Sequence, residues 1–362
     1  MSSDPVILCI NSGSSSLKFA LYRLSTCNEV SLYQGSVGGV SAISQIFELL
    51  DHRRLPAPHA VGHRVVHGGR EHRRAERVDE ALLAALQRAV PFAPLHLPAE
   101  IQGIEAVRER LPDIPQVVCY DTDFHRPMPE IAARLPLPRD LHDRGIKRYG
   151  FHGLSYEYVV EALGTSLGHR AVVAHLGSGS SMVALCDGKP VDTTMGLTPA
   201  GGVMMGTRTG DLDPGVVFHL LAAGLSAAEL EEMLNHESGL LGVSGRSSDM
   251  ATLLDVEEHD AAARMAVQMY CYQAKRAIGS LAAALGGIDS LVFTGGIGEN
   301  AAPVRERICR GLEHLGIVVD PARNQAPNDS ISAPHSKCLV RVVATNEQLM
   351  IARKTRREVF AC

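Results

Sequence analysis

The 362-residue chain contains no Trp, and aromatic residues make up only 4% of it. A protein that stacks nucleobases on exposed rings needs more of them. Basic residues are not in surplus either: 35 Lys and Arg face 40 Asp and Glu, a net charge of −5. Nucleic acid is therefore not expected as a partner, because neutralising its phosphates takes a basic surface. No apolar run approaches the ~18 residues that cross a bilayer, so no membrane partner is expected. The N-terminus, MSSDPVILCI, lacks the basic flank, full apolar segment and cleavage site of a secretory leader. The eight Cys, at 9, 27, 119, 186, 271, 309, 338 and 362, form no CxxC pair. Buried, reduced thiols in a cytoplasmic protein are the expectation. Also missing is the phosphate-binding pattern GxxxxGK followed by Ser or Thr.

What the chain has instead is a pattern that occurs twice. Residues 7–21 read ILCINSGSSSLKFAL and residues 172–185 read VVAHLGSGSSMVAL, about 165 residues apart. Each is an apolar strand-like run, a Gly/Ser turn and a second alternating run. Small residues at such a turn let backbone N–H groups approach an anion closely. One copy is weak evidence, since a tight exposed turn looks the same. Two copies suggest two related domains serving one polyphosphate. Asn11 and Lys18 flank the first: Lys18 can neutralise phosphate charge, and Asn11 can donate to phosphate or hold a metal-bound water.

Around these hairpins, strands and helices alternate, which makes the class α/β. Helical periodicity appears at 41–53, 78–89, 99–111, 154–166, 258–285, 302–315 and 345–357. Asp213-Pro214 opens another helix. Strand patterns cover 6–23, His63–His67, a run ending near Asp121, the hairpin from 171, 290–294, 316–319 and 338–344. The Pro-rich, basic stretch 135–149 suits a connection between domains.

Several residues stand out singly. Arg64 is a permanently charged planar donor in an apolar strand, suited to a carboxylate or a phosphate, or to a surface ion pair. Arg208 lies in a small-residue loop, GTRTGD, before a helix. Asp121 ends an apolar strand, where an acid commonly faces a site. His152 sits in YGFHG, on a tight loop. His63 and His67 are four apart, but on a strand that spacing does not make a metal pair. Gly296–Ala301 fits GxGxxA between a strand and a helix, with Asp320 near the spacing of a ribose-binding acid. Read locally this is a dinucleotide fingerprint. Only 42 residues follow Asp320, too few for the rest of such a half-sheet, and the two hairpins stay unexplained. A Gly-rich turn at a helix N-terminus can equally cradle ATP.

Eight segments in order resemble the acetate kinase family, within the superfamily of acetate and sugar kinases, chaperones and actin. They are INSGSSSLK (10–18), VGHRVVHGG (61–69), DTDFH (121–125), YGFHG (149–153), HLGSGSS (175–181), MGTRTGDLDP (205–214), FTGGIGEN (293–300) and TNEQLMIAR (345–353). The resemblance implies two ribonuclease-H-like domains, a duplicated βββαβαβα core, with the active site in the cleft between them. It places the first domain at 1–122 plus 348–362, by a final helix that crosses back, and the second at 123–347. It implies Mg²⁺-dependent transfer of a phosphoryl group between ATP and acetate, giving ADP and acetyl phosphate. Mn²⁺ is a possible substitute, and a homodimer is expected.

The resemblance also implies roles. Asn11 and Glu347 would organise the metal, mainly through water. Lys18 and the loop His175, Leu176, Gly177, Ser178, Gly179 would hold phosphates. Asp249, Met250 and Ala251, with Gly296, Ile297, Gly298, Glu299 and Asn300, would position the nucleoside. Arg64 would bind the acetate carboxylate, and Val66, Leu95, Phe151 and Pro199 its methyl group. Asp121, His152 and Arg208 would be catalytic. A carboxylate nucleophile has no proton to lose, so Asp121 is read as an organiser of metal and arginine rather than a base.

Some positions depart from the family pattern. Only 44 residues separate Lys18 from His63, so the first domain is expected to be shortened. Ser178 replaces a usual Asn, and Ala251 a usual Arg. APLHLPAE (93–100) replaces APLHNPPN, and TPAGGV (198–203) replaces TPLEGL, both near the expected acyl pocket. Propionate or another short acid therefore stays open as substrate. So do two other classes, an ATP-dependent conformational module and a dehydrogenase.

Overall fold

The computed structural model describes residues 4–12, 17–25, 28–38, 42–72, 74–326 and 330–360. The chain divides into two compact units. Unit 1 comprises Met1–Arg126, Phe151–Tyr158 and Asn346–Cys362; unit 2 comprises Pro127–Gly150 and Val159–Thr345.

Unit 1 is built on strands β1 (Val6–Ser12), β2 (Leu17–Leu24), β3 (Glu29–Val37), β4 (Ala60–Val65), β5 (Glu76–Arg77) and β6 (Gln116–Tyr120). Their order is β3-β2-β1-β4-β6-β5. The first three form an antiparallel meander, and β4 and β6 extend it in parallel from β1. β1 is buried along nearly its whole length, as its unbroken apolar run requires of a strand covered on both faces. The two-residue period sorts its side chains. Val6, Leu8 and Ile10 join a core with Ile46, Phe47 and Leu50 of the helix Ala42–His52. Ile7 and Cys9 join another with Met350, Ile351 and Ala352 of the final helix, Glu347–Phe360. That helix lies close enough that a Cβ at Gly62 would collide with Thr355 and Ile351. On it, buried Lys354 reaches Asp123 at 2.9 Å and Glu157 at 2.8 Å.

Unit 2 repeats the arrangement with β7 (Arg170–Leu176), β8 (Ser180–Cys186), β9 (Lys189–Thr193), β10 (Ser290–Thr294) and β11 (Leu339–Val342). The order β9-β8-β7-β10-β11 has the same sense, with three antiparallel strands followed by two parallel ones. The duplication expected from the two Gly/Ser hairpins is thus a duplication of topology, the ribonuclease-H-like one. The helix Ala261–Ala284 packs on this sheet through small residues, among them Ala263, Ala266 and Ala274. Asp260 caps its start by accepting from the N–H groups of Ala262 and Ala263.

Some segments differ from the pattern reading. β3 and β9 were not expected: both are edge strands with a polar face, so neither shows a clean apolar alternation. Residues 316–319 form no strand and make a single bridge, Val319 to Ser332. Gly316 takes a left-handed φ of 81°, and the segment bonds to 331–338 instead of joining the sheet. GGIGEN is no turn but a helix, Gly295–Asn300. The helix expected to reach 315 ends at Cys309, two residues before Gly311 with φ 90°. Of the cysteines described, five are buried, Cys186 is half-buried, and all are free thiols. No helix among the described residues is long and apolar enough to cross a membrane.

Candidate active site

In open α/β sheets, functional side chains gather beyond the carboxyl ends of the strands. In unit 1 the carboxyl ends of three mutually parallel strands supply Asn11 (β1), Arg64 (β4) and Asp121, the residue after β6. Glu347, first residue of the final helix, joins them. Arg64 donates from Nε to Asp121 Oδ1 at 3.0 Å and from Nη2 to Oδ2 at 2.5 Å. Its Nη1 donates to the Ser12 carbonyl at 2.9 Å and lies 3.4 Å from Asn11 Oδ1. Asn11 Nδ2 donates to Glu347 Oε2 at 2.7 Å. Asp121 is fully buried and Asn11 nearly so. Burial opposes the Arg64 charge, but Asp121, then Glu347 and Glu100, outweigh it and hold its pKa above the usual value. The forked face of the guanidinium is thus committed to Asp121. Lys18 pairs directly opposite Asn11 in the β1–β2 ladder, so both point to one face of the sheet. The turn 13–16 between them, the heart of the first expected phosphate grip, lies outside the described residues.

Three of the residues expected to line an apolar pocket belong to this unit. Val66 and Phe151 are buried, and Leu95 is half-buried before the helix Leu97–Arg110. The His67 ring stacks on Phe92 at 5.0 Å and tilts against Phe151 at 5.8 Å. His63 bonds Gln116 at 2.8 Å, and burial depresses its pKa to about 4. His152 has φ 57°, a left-handed conformation that costs a non-glycine residue energy and collects at functional sites. Gly153, next to it, donates its N–H to the Asp121 carbonyl at 2.9 Å, and a Cβ there would collide with that oxygen.

Sequence reasoning missed two residues of this unit. His125 is buried and bonds the Phe151 carbonyl at 3.0 Å; burial lowers its pKa to about 4, so the neutral ring donates from Nε2. Glu100 is 3% exposed, on the first turn of Leu97–Arg110, and accepts from the Val66 N–H at 3.0 Å. Burial lifts its pKa to about 8, against the pull of Arg64 and the Val66 N–H and with a push from Asp121. The available signal was an acid inside the apolar segment 93–100.

In unit 2 two strand ends, those of β7 and β10, carry part of the remaining predicted set, and loops and a helix start carry the rest. His175 and Leu176 finish β7, and the turn Gly177–Gly179 follows. The Ser178 side chain is exposed at its tip, while the Ser178 carbonyl accepts from the Gly206 N–H at 3.1 Å. This ties the turn to the loop bearing Arg208, which is buried and donates from Nη1 to the Pro199 carbonyl at 2.6 Å. Asp249 caps the helix Met250–Val256, accepting from Thr252 N at 2.9 Å and Thr252 Oγ1 at 2.8 Å. Those bonds lower its pKa. Met250 is buried and Ala251 exposed.

The helix Gly295–Asn300 starts directly from β10. Its opening Gly295 has φ 77°, and a Cβ there would meet the backbone of Leu176. Glu299 Oε1 accepts from Gly295 N at 2.9 Å and Thr345 N at 3.1 Å, and Asn300 Nδ2 donates to the Gly296 carbonyl at 2.9 Å. Buried Arg305, also missed from sequence, closes the other end: its Nη1 donates to the carbonyls of Gly298 and Glu299, both at 2.9 Å. Ile297 packs against the core of the unit.

A Mg²⁺ ion takes hard oxygen ligands, keeps several waters, and is commonly shared between one or two carboxylates and substrate phosphates. The Glu347 carboxylate, oriented by Asn11 Nδ2, fits that kind of sparse site. Another donor group, His169, Cys186 and Asp187, has ligand atoms within 4.8 Å of one another. It lies at the opposite end of the β7–β8 hairpin from the Gly177–Gly179 turn and forms no part of this site.

Comparison with known proteins gives the family and the fold. A profile described as the acetokinase family matches residues 37–353. The acetate kinase of Rhodopseudomonas palustris (strain ATCC BAA-98 / CGA009) is 42% identical over 387 aligned residues, covering 96% of this chain and 97% of that protein. The crystal structure of Porphyromonas gingivalis acetate kinase superposes with a TM-score of 0.86 and 38% identity, covering 98% of this chain and 100% of the other. A propionate kinase from Francisella tularensis superposes with a TM-score of 0.89 and 35% identity at the same coverage.

Proposed function

We propose, because the chain belongs to the acetokinase family, that it is an enzyme transferring a phosphoryl group reversibly between ATP and acetate. The observation that carries this reading is the convergence of Asn11, Arg64, Asp121 and Glu347 at the strand ends of unit 1. An enzyme that hydrolyses ATP needs a positioned water; an arginine only 11% exposed, two residues before buried Val66, suits a small carboxylate with an apolar tail.

The chemistry needs no proton acceptor. An acetate oxygen attacks the γ-phosphorus, forming the new O–P bond as the bond to the bridging β–γ oxygen breaks. The electron pair leaves with ADP, and no proton moves. The protein's task is positioning and neutralising charge on the equatorial oxygens. Arg64, oriented by Asp121, attracts the carboxylate, and Val66, Leu95, Phe151 and Pro199 receive the methyl group. Arg208 and His152 face charge that develops on the transferring group. Lys18, the segment His175–Gly179, and Asp249 through Ala251 with Gly296–Asn300 hold the nucleotide. A divalent cation, Mg²⁺ or Mn²⁺, held by Glu347 and Asn11 through water, supplies charge neutralisation along the phosphates when bound. The same reading extends to a homodimer in the cytoplasm.

The test is formation of acyl phosphate from ATP and a carboxylic acid, trapped with hydroxylamine. Hydroxamate with acetate, abolished by chelating the metal, is the expected result. ATP turnover without hydroxamate would overturn the reading. A series of acetate, propionate and butyrate decides the acyl preference.

A further inference from the structure

Glu100 stands apart from the machinery described above. Its Oε2 accepts from the Val66 N–H at 3.0 Å, while Oε1 is buried with no hydrogen-bond partner among the described residues. An ionised carboxylate in that setting leaves lone pairs unsatisfied in a medium that water does not reach. The groups facing it are the Arg64 guanidinium from β4, the Val66 N–H just after that strand, and the Asp121 carboxylate after β6. Its own helix N-terminus and Arg64 favour the anion. Asp121 and burial oppose it.

Arg64 already faces Asp121 and Glu347. A third fixed negative charge at Glu100 would compete with an anionic substrate for the same cation. We propose that Glu100 is a positioning residue of the carboxylate half-site, one that must carry a proton for an anionic acid to dock beside Arg64. This role rests on the acyl-transfer reading above. As an acid, Glu100 keeps its Oε2 acceptor bond to Val66 and leaves the Arg64 charge available. As an anion, it does not.

The consequence is a pH dependence confined to one kinetic constant. With a midpoint of about 8, the neutral fraction falls roughly tenfold between pH 7 and pH 9. The KM for acetate should therefore rise about tenfold over that range, while kcat and the KM for ATP stay level. Glu100→Gln keeps the acceptor oxygen and the volume but never ionises, so its acetate KM should be flat and close to the wild-type value at pH 7. A wild-type KM that is flat from pH 7 to 9 overturns the inference whether or not the variant folds. So does an equal rise in Glu100→Gln. Failure of the underlying reading looks different: no hydroxamate from any acid at pH 7.

Discussion

Replacing Asp121 by Asn separates structural from chemical roles at the centre of the site. Asp121 is completely buried and takes two of the Arg64 donors, at 3.0 and 2.5 Å. Asparagine keeps an acceptor for one of them but turns an N–H₂ group toward the other. The Arg64 charge then stays buried without its closest counter-ion, a change that costs about 3–5 kcal/mol. The Ser12 carbonyl and the more distant Glu347 charge remain, which favours the lower end, about 3 kcal/mol. At roughly 2–4 °C per kcal/mol for a domain of this size, unit 1 should melt about 6–12 °C earlier. Differential scanning calorimetry with steady-state kinetics reads both effects. Turnover should fall while the shape of the kcat–pH profile is kept, since the nucleophile surrenders no proton. A melt within about 1 °C of wild type would refute the structural half. Loss of an acid-side limb from the profile would show that Asp121 accepts a proton and refute the chemical half.

Three further outcomes are expected. Arg208→Ala should lower turnover by roughly 10³–10⁵ while ATP still binds with unchanged affinity by titration calorimetry; turnover near wild type would remove Arg208 from the transferring group. Gly153→Ala forces a methyl group against the Asp121 carbonyl and should cost about 1–3 kcal/mol together with activity, so a variant with native stability and rate would contradict the close approach. Glu100 holds a proton in the folded state up to about pH 8, whereas an unfolded carboxyl loses it near pH 4.3. Its contribution is therefore full below about pH 4.3 and is lost as pH rises to about 8, by at most ~5 kcal/mol. Urea melts should show Glu100→Gln gaining on wild type between pH 5 and pH 8, and a constant difference would argue that Glu100 is ionised throughout.

Legibility followed burial. β1, β7 and β10 are apolar on both faces, so their composition alone marks them. β3 and β9 sit at sheet edges, where polar residues are tolerated and the pattern fades. The segment 316–319 has strand composition, yet a left-handed Gly316 and bonds to 331–338 keep it out of the sheet. Nothing within five residues of a position reports such long-range competition. The family resemblance implies a nucleoside contact for Asp249; the fold shows its carboxylate capping a helix, a local role its sequence, DMAT, equally permits.

The sequence by itself determined the duplication, the α/β class and most of the strand-end residues, because strand period, small-residue turns and motif order are local properties of the chain. Only the tertiary structure decided what Arg64 and Glu100 face. Residues 11, 64, 121 and 347 meet because three parallel strands end at one edge and the final helix returns to it, and Glu100 reaches the Val66 N–H from the separate helix Leu97–Arg110. The charge state of a buried group depends on those neighbours and on the exclusion of water, and neither is written in the residues beside it.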